Sequence, residues 1–144
     1  MYCVLKPCSI GSIPTLISQS TNLVVLNLGA NLLDGALTTA LSTLTKLTYL
    51  TLSQNSITSS DFTLPMEGLT ELMHLDLSGN FLSGTIGAVF CASLNKLSYL
   101  DVTSNKVNGN IPTEIGLLTS LKSFLFGNNN KISGKSKRVL LCII

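Results

Sequence analysis

Leu23, Leu47, Leu72, Leu97 and Leu121 recur at intervals of 24, 25, 25 and 24 residues, and this period restricts the fold more than any other property of the chain. Self-similarity at such a spacing calls for one supersecondary unit copied along an axis. Each leucine is followed three and five positions on by further apolar residues: Leu26 and Leu28, Leu50 and Leu52, Leu75 and Leu77, Leu100 and Val102, Phe124 and Phe126. That alternation is the pattern of a short strand with one face inward. So short a strand cannot bury its inner side chains alone. It must stack on copies of itself, which gives a parallel sheet with one strand per coil.

The rest of each unit repeats as well. An Asn stands three residues past the last inward position at Asn31, Asn55, Asn80 and Asn105, and Asn130 is expected to take that place in the fifth unit if one residue is inserted in the run Asn128 to Asn130. Hydrophobic burial does not explain an Asn there, but an amide that both donates and accepts can satisfy backbone groups where every coil turns. A structural ladder of asparagines is the expectation. Gly35, Gly84, Gly109 and Gly134 follow at plus four, as a turn with positive φ or close backbone approach requires. On the far side, Gly109, Ile111, Pro112, Ile115 and Leu118 match Gly35, Leu37, Thr38, Leu41 and Leu44, and spacings of this kind suit short 3-10 or irregular returns. The two 25-residue units carry their extra residue there, near Asp61 and Phe62 and near Cys91. The expected fold is an α/β repeat solenoid, a horseshoe segment with a parallel β-sheet on its concave face. Residues 23–134 would hold five repeats, residues 1–22 a degenerate N-terminal coil or cap, and residues 135–144 a basic, then apolar, tail.

The set Leu97, Leu100, Val102, Asn105, Val107, Gly109, Ile111, Pro112, Ile115, Gly116 and Leu118 resembles the plant-type leucine-rich repeat, and the resemblance covers about residues 9–134. It implies a short second strand at the Gly-x-Ile-Pro segment. It also implies kinship with the ectodomains of receptor-like kinases and receptor-like proteins, and hence non-catalytic recognition of a protein or peptide in signalling or defence at the outer face of the plasma membrane. The chain departs from the pattern where Thr38 and Gly87 replace the proline, and the paired-cysteine N-terminal cap of the receptors is not evident. Residues 1–22 show no charged segment leading into an apolar one, and none of the 12 asparagines begins an Asn-x-Ser/Thr sequon. These features favour a second expectation, a free-standing intracellular scaffold or adaptor. A third is the recognition segment of a receptor kinase whose catalytic domain lies outside these residues.

In such a sheet the side chains between the inward leucines form two columns on the concave face: Val25, Tyr49, His74, Tyr99 and Ser123, then Asn27, Thr51, Asp76, Asp101 and Leu125. Tyr49, His74 and Tyr99 beside Thr51, Asp76 and Asp101 make the candidate ligand-binding set, because amphipathic rings next to polar groups suit peptide recognition. The same residues could instead serve only to stabilise the sheet. His74 is the only histidine, so neither a His-based metal cluster nor a nucleophile–His pair is expected, and no cofactor. Cys3, Cys8, Cys91 and Cys142 lack metal-ligand spacing and their scatter favours unpaired thiols; Cys91 reads as a buried residue of the convex side, with a remnant cap disulfide between Cys3 and Cys8 as the alternative for that pair.

Charge and hydropathy narrow the partners further. Nine Lys and Arg oppose seven Asp and Glu, with Lys135, Lys137 and Arg138 confined to the tail, so the chain carries no basic footprint for nucleic acid. Although 45% of residues are apolar, no run nears the roughly 18 needed to span a bilayer, and direct membrane insertion is not expected. The last repeat offers Phe124 and Phe126 at an open end. Three expectations stand for that end: Val139 to Ile144 covers it, further coils of a longer chain stack on it, or it supports end-to-end self-association through the C-terminal coil.

Overall fold

The computed structural model describes residues 1–4, 9–129 and 131–133. In chain order the strands are β1 (Tyr2–Val4), β2 (Ile10–Gly11), β3 (Val25–Asn27), β4 (Leu32–Leu33), β5 (Tyr49–Thr51), β6 (Thr58–Ser59), β7 (His74–Asp76), β8 (Phe81–Gly84), β9 (Tyr99–Asp101), β10 (Lys106–Asn110), β11 (Ser123–Leu125) and β12 (Lys131–Ser133). The odd-numbered strands form one six-stranded parallel sheet in the order β1-β3-β5-β7-β9-β11, so each coil lays its strand beside that of the coil before. The register pairs Leu26 with Leu50, Leu50 with Leu75, Leu75 with Leu100 and Leu100 with Phe124, and every one of these side chains is buried. The second strands, just past each ladder position, form β2-β4 and β12-β10-β8-β6, linked by the single bridge of Ala36 to Thr58. The result is the parallel-sheet repeat solenoid, with its core enclosed between the main sheet and the returns.

Residues 1–22 do more than degenerate into a cover. β1 pairs in parallel with β3, Tyr2 against Val25 and Cys3 against Leu26, and so adds a strand to the main sheet. Ile13 is buried, while Leu16 on the return stays exposed.

Convex returns are 3-10 turns at Thr15–Gln19, Thr39–Thr43, Leu64–Met66 and Thr113–Leu117, and one short α-helix, α1 (Ala88–Ser93). The extra residue near Cys91 accounts for the helix: Cys91 N–H donates to Gly87 O and Leu94 N–H to Phe90 O, the longer reach of an α-turn. At the other insertion, Asp61 Oδ1 accepts from Thr63 N at 3.0 Å, Thr63 Oγ1 at 2.7 Å and Leu64 N at 3.3 Å. These hydrogen bonds hold the Asp61 carboxyl below the usual carboxylate range, Thr63 hydroxyl foremost. They close the added loop over buried Phe62, which meets Phe90 edge-on at 6.3 Å. Cys91 is buried in α1, and burial first, then Glu114, pushes its thiol up to about 11.

The asparagines fasten coil to coil. Asn80 Nδ2 donates to Leu52 O at 3.0 Å, Leu77 O at 3.1 Å and Ser78 O at 3.3 Å, while its Oδ1 accepts from Ile57 N at 3.0 Å. Asn55 and Asn105 repeat this set on their own neighbours, and Asn31 closes the first link to Ser9 N. The fifth position corrects the sequence expectation. Asn129, not Asn130, donates to Val102 O and Phe126 O at 2.9 Å each and accepts from Val107 N at 2.9 Å; Asn130 lies outside the described residues. The reason is geometric: the turn admits three steps from the last inward side chain, and Phe126 to Asn129 keeps that count, so the inserted residue follows the ladder instead of preceding it. The backbone agrees, because Ala30, Gln54, Gly79, Ser104 and Asn128 all hold positive φ, one residue before each ladder asparagine. Gly134, Cys8, Cys142 and the tail from Val139 to Ile144 lie outside the described residues, and with them the Cys3–Cys8 pairing and the capping expectation.

Candidate functional site

The concave columns follow from strand pairing. β5, β7 and β9 set Tyr49 opposite His74 and His74 opposite Tyr99. Sheet strands lie about 4.8 Å apart, close to the stacking distance of aromatic rings. The three rings accordingly stack face to face, with centroids 4.3 Å and 4.4 Å apart and planes 6° from parallel at both steps. All three are half-buried. The register adds a residue that the sequence reading missed: Tyr2 heads the same column opposite Val25, and is 78% exposed. Its signal was the run Tyr2-Cys3-Val4-Leu5, which mimics Val25-Leu26-Asn27-Leu28 at a slightly shortened period.

The second column is turned largely inward on its own backbone. Asp76 Oδ1 accepts from Ser78 N at 3.0 Å and Ser78 Oγ at 2.7 Å, and Asp101 Oδ1 accepts from Thr103 N at 2.8 Å. Asn27 Oδ1 does the same for Gly29 N, and Thr51 Oγ1 lies 2.9 Å from Ser53 Oγ. Each therefore closes the turn after its strand. Thr51 and Asp101 are in addition only 5% and 8% exposed, which corrects their assignment to a ligand-facing set. The accessible polar chemistry narrows to half-buried Asp76 beside the rings. The outer oxygens stay close to the stack: Thr51 Oγ1 donates to Asp76 Oδ2 at 3.4 Å and Tyr99 Oη to Asp101 Oδ2 at 3.3 Å.

These contacts set the protonation states. Burial first, then Asp101 and Asp76, pushes the Tyr99 hydroxyl up to about 12, so it is a neutral donor. Burial lowers His74 from its ordinary 6.5, and the pull of Asp76 and Asp101 in the other direction does not cancel it. At neutral pH the centre of the stack is an uncharged imidazole. Because the folded-state pKa lies below the unfolded one, the unfolded chain takes up the proton first as the pH falls. The contribution is complete above pH 6.5 and is lost below it. Denaturant unfolding at pH 7 and pH 5 should show a larger fall in midpoint for the wild type than for His74→Phe, which keeps the stack and removes the titration; equal falls would exclude His74 as the cause.

Beside the stack, Met73, Ser98 and Lys122 line a shallow groove of about 450 Å³, bordered by Lys96. The Lys96 ammonium is 2.6 Å from both carboxylate oxygens of Glu71, an exposed pair. Among the described residues no helix is long and apolar enough to cross a membrane, and no group of three or more His, Cys, Asp or Glu is placed to hold a metal ion. The arrangement offers ring edges, hydroxyls and a carboxylate on an open curved face.

Comparison with known proteins agrees with this geometry. The family model described as Leucine Rich Repeat matches residues 71–93 and 96–118. No curated protein sequence matches the chain significantly. Among solved structures, the chain is similar to the plant peptide hormone receptor RGFR1 in complex with RGF2, at 28% identity and a TM-score of 0.80, covering 90% of this chain and 20% of that one. It is also similar to the ectodomain of the Arabidopsis thaliana membrane receptor kinase GASSHO1/SCHENGEN3 in complex with CASPARIAN STRIP INTEGRITY FACTOR 2, at 32% identity and 0.82, covering 88% and 15%. The Arabidopsis thaliana BIR2 ectodomain matches at 30% identity and 0.77, covering 88% of this chain and 65% of that one. The chain thus spans a fifth or less of the first two. With its repeat period, parallel sheet and asparagine ladder, the chain is a leucine-rich-repeat solenoid similar to these plant receptor ectodomains.

Proposed function

We propose that the chain is a non-catalytic recognition module of a receptor-like ectodomain whose concave face binds an extended protein or peptide segment. The observation that carries this reading is the half-exposed Tyr49–His74–Tyr99 stack with Asp76 beside it and a groove along one flank. Preordered rings lose little conformational freedom on binding, and their polar edges fix register. A peptide lying across the strands would meet one ring per coil, and similarity to a peptide hormone receptor supports the same class of ligand.

The test is selection from a random-peptide library displayed on phage against the intact chain, followed by rebinding to a Tyr49→Ala/Tyr99→Ala double variant. Selected peptides should lose at least about tenfold in affinity, as expected when aromatic anchors are truncated. Loss should not occur with Leu117→Ala, an exposed convex residue. Peptides that bind the double variant as tightly as the wild type would remove the concave stack from the reading.

A further inference from the structure

The aromatic column stops abruptly. Tyr49, His74 and Tyr99 occupy three successive strands, and the next strand sets Ser123 opposite Tyr99. One face of the Tyr99 ring is covered by His74 at 4.4 Å; on the other side the registered neighbour ends in a hydroxymethyl group. The place where a fourth ring would continue the stack is therefore bounded by an aromatic face and a small half-buried serine on β11, the last strand of the main sheet among the described residues.

The two concave columns that border that place carry charge of one sign. From Val25 to Ser123 and from Asn27 to Leu125, the two columns contain Asp76 and Asp101 and no Lys or Arg. The Tyr99 hydroxyl donates to the Asp101 carboxylate, which makes its ring face more electron-rich. His74, kept neutral by burial, does not oppose a cation there. Lys122 stands one residue before Ser123 and is exposed. A planar, weakly hydrated guanidinium fits such a position better than a compact ammonium, because it stacks on a ring while still donating sideways to a carboxylate. A phenyl ring would fill the same volume without using the charge.

On the recognition reading above, we propose that the partner peptide places an arginine side chain on the free face of Tyr99 above Ser123, completing the stack as its fourth member. The arginine stacks on the Tyr99 ring, drawn there by the acidic charge of the neighbouring column, and it fixes the register of the peptide along the concave face.

The experiment uses the library-selected peptides whose binding requires Tyr49 and Tyr99. Arginine should be enriched at one position among them. Exchange of that arginine for citrulline, which has the same shape without the charge, should weaken binding about tenfold or more. Ser123→Tyr, which fills the fourth position from the protein side, should abolish the arginine preference, with unchanged circular dichroism and melting as the control for folding; the citrulline exchange tests the point without any protein variant. Stack-dependent peptides that favour Phe or Leu, that tolerate citrulline, or that keep their arginine preference on Ser123→Tyr would overturn the arginine assignment and leave the recognition reading standing. A library yielding no stack-dependent peptide would overturn both.

Discussion

Asn80→Ala should destabilise the chain by about 2–4 kcal/mol, since a buried N–H left without a partner costs roughly 1–3 kcal/mol and each further hydrogen bond lost about 0.5–1.5 kcal/mol. The asparagine is buried, and its amide serves three carbonyls and one N–H. Alanine would leave the buried Ile57 N–H without its acceptor and take one of two donors from Leu52 O and from Leu77 O, which keep Asn55 and Asn105 respectively. The loss is not confined to one turn. Leu52 and Ile57 belong to the preceding coil, so the variant weakens an interface between coils, and a solenoid is held together by such nearest-neighbour terms. Against a total stability of about 5–15 kcal/mol this is a large fraction. Urea unfolding should show a much lower midpoint, whereas Asn95→Ala, an exposed convex asparagine, should stay within about 0.5 kcal/mol of wild type. Equal midpoints for the two variants would contradict the structural role of the ladder.

Gly68→Ala should cost about 3 kcal/mol, at the upper end of what overpacking against a rigid neighbour produces. A methyl group on Gly68 would collide with the Ser42 carbonyl oxygen and come within 2.8 Å of the carbonyl carbon and 3.0 Å of Ser42 Cβ. The obstacle is the backbone of the preceding return and cannot rotate away, so the coils must separate on the convex side. The same substitution at Gly116, whose added methyl meets nothing within 4 Å, should be neutral or stabilising by up to about 1 kcal/mol through the unfolded chain. The contrast between the two melting temperatures tests the closeness of the convex packing, because neither glycine has positive φ.

Much of this fold was legible because its constraint is periodic. The inward positions from Leu23 to Phe126 could be read directly, since only burial against a copy explains apolar residues three and five positions after each repeat leucine. The ladder failed at its fifth step for a physical reason: in Asn128-Asn129-Asn130 every residue has the required amide, and only the backbone shows that Asn128 takes the positive φ and Asn129 the inward turn. The first strand was obscured by a shortened period. Within the site, column membership followed from strand alternation, but two properties did not. The burial of Thr51 and Asp101 depends on hydrogen bonds to their own turns, and the coplanarity of Tyr49, His74 and Tyr99 depends on rotamers that sequence does not specify. The interruption of the stack at Ser123 was already visible in the column, yet it acquires meaning only once the three rings are known to stand parallel.

Recognition through the concave face places every accessible group of the proposed site on one side of the main sheet. A crystal structure of the chain with a library-selected peptide tests this most directly. The account predicts an extended peptide crossing β5, β7, β9 and β11, in contact with Tyr49, His74 and Tyr99 and with Asp76 at its edge. A peptide seated on the convex returns, or along the edge of the second strands, with the three rings still open to solvent would contradict it.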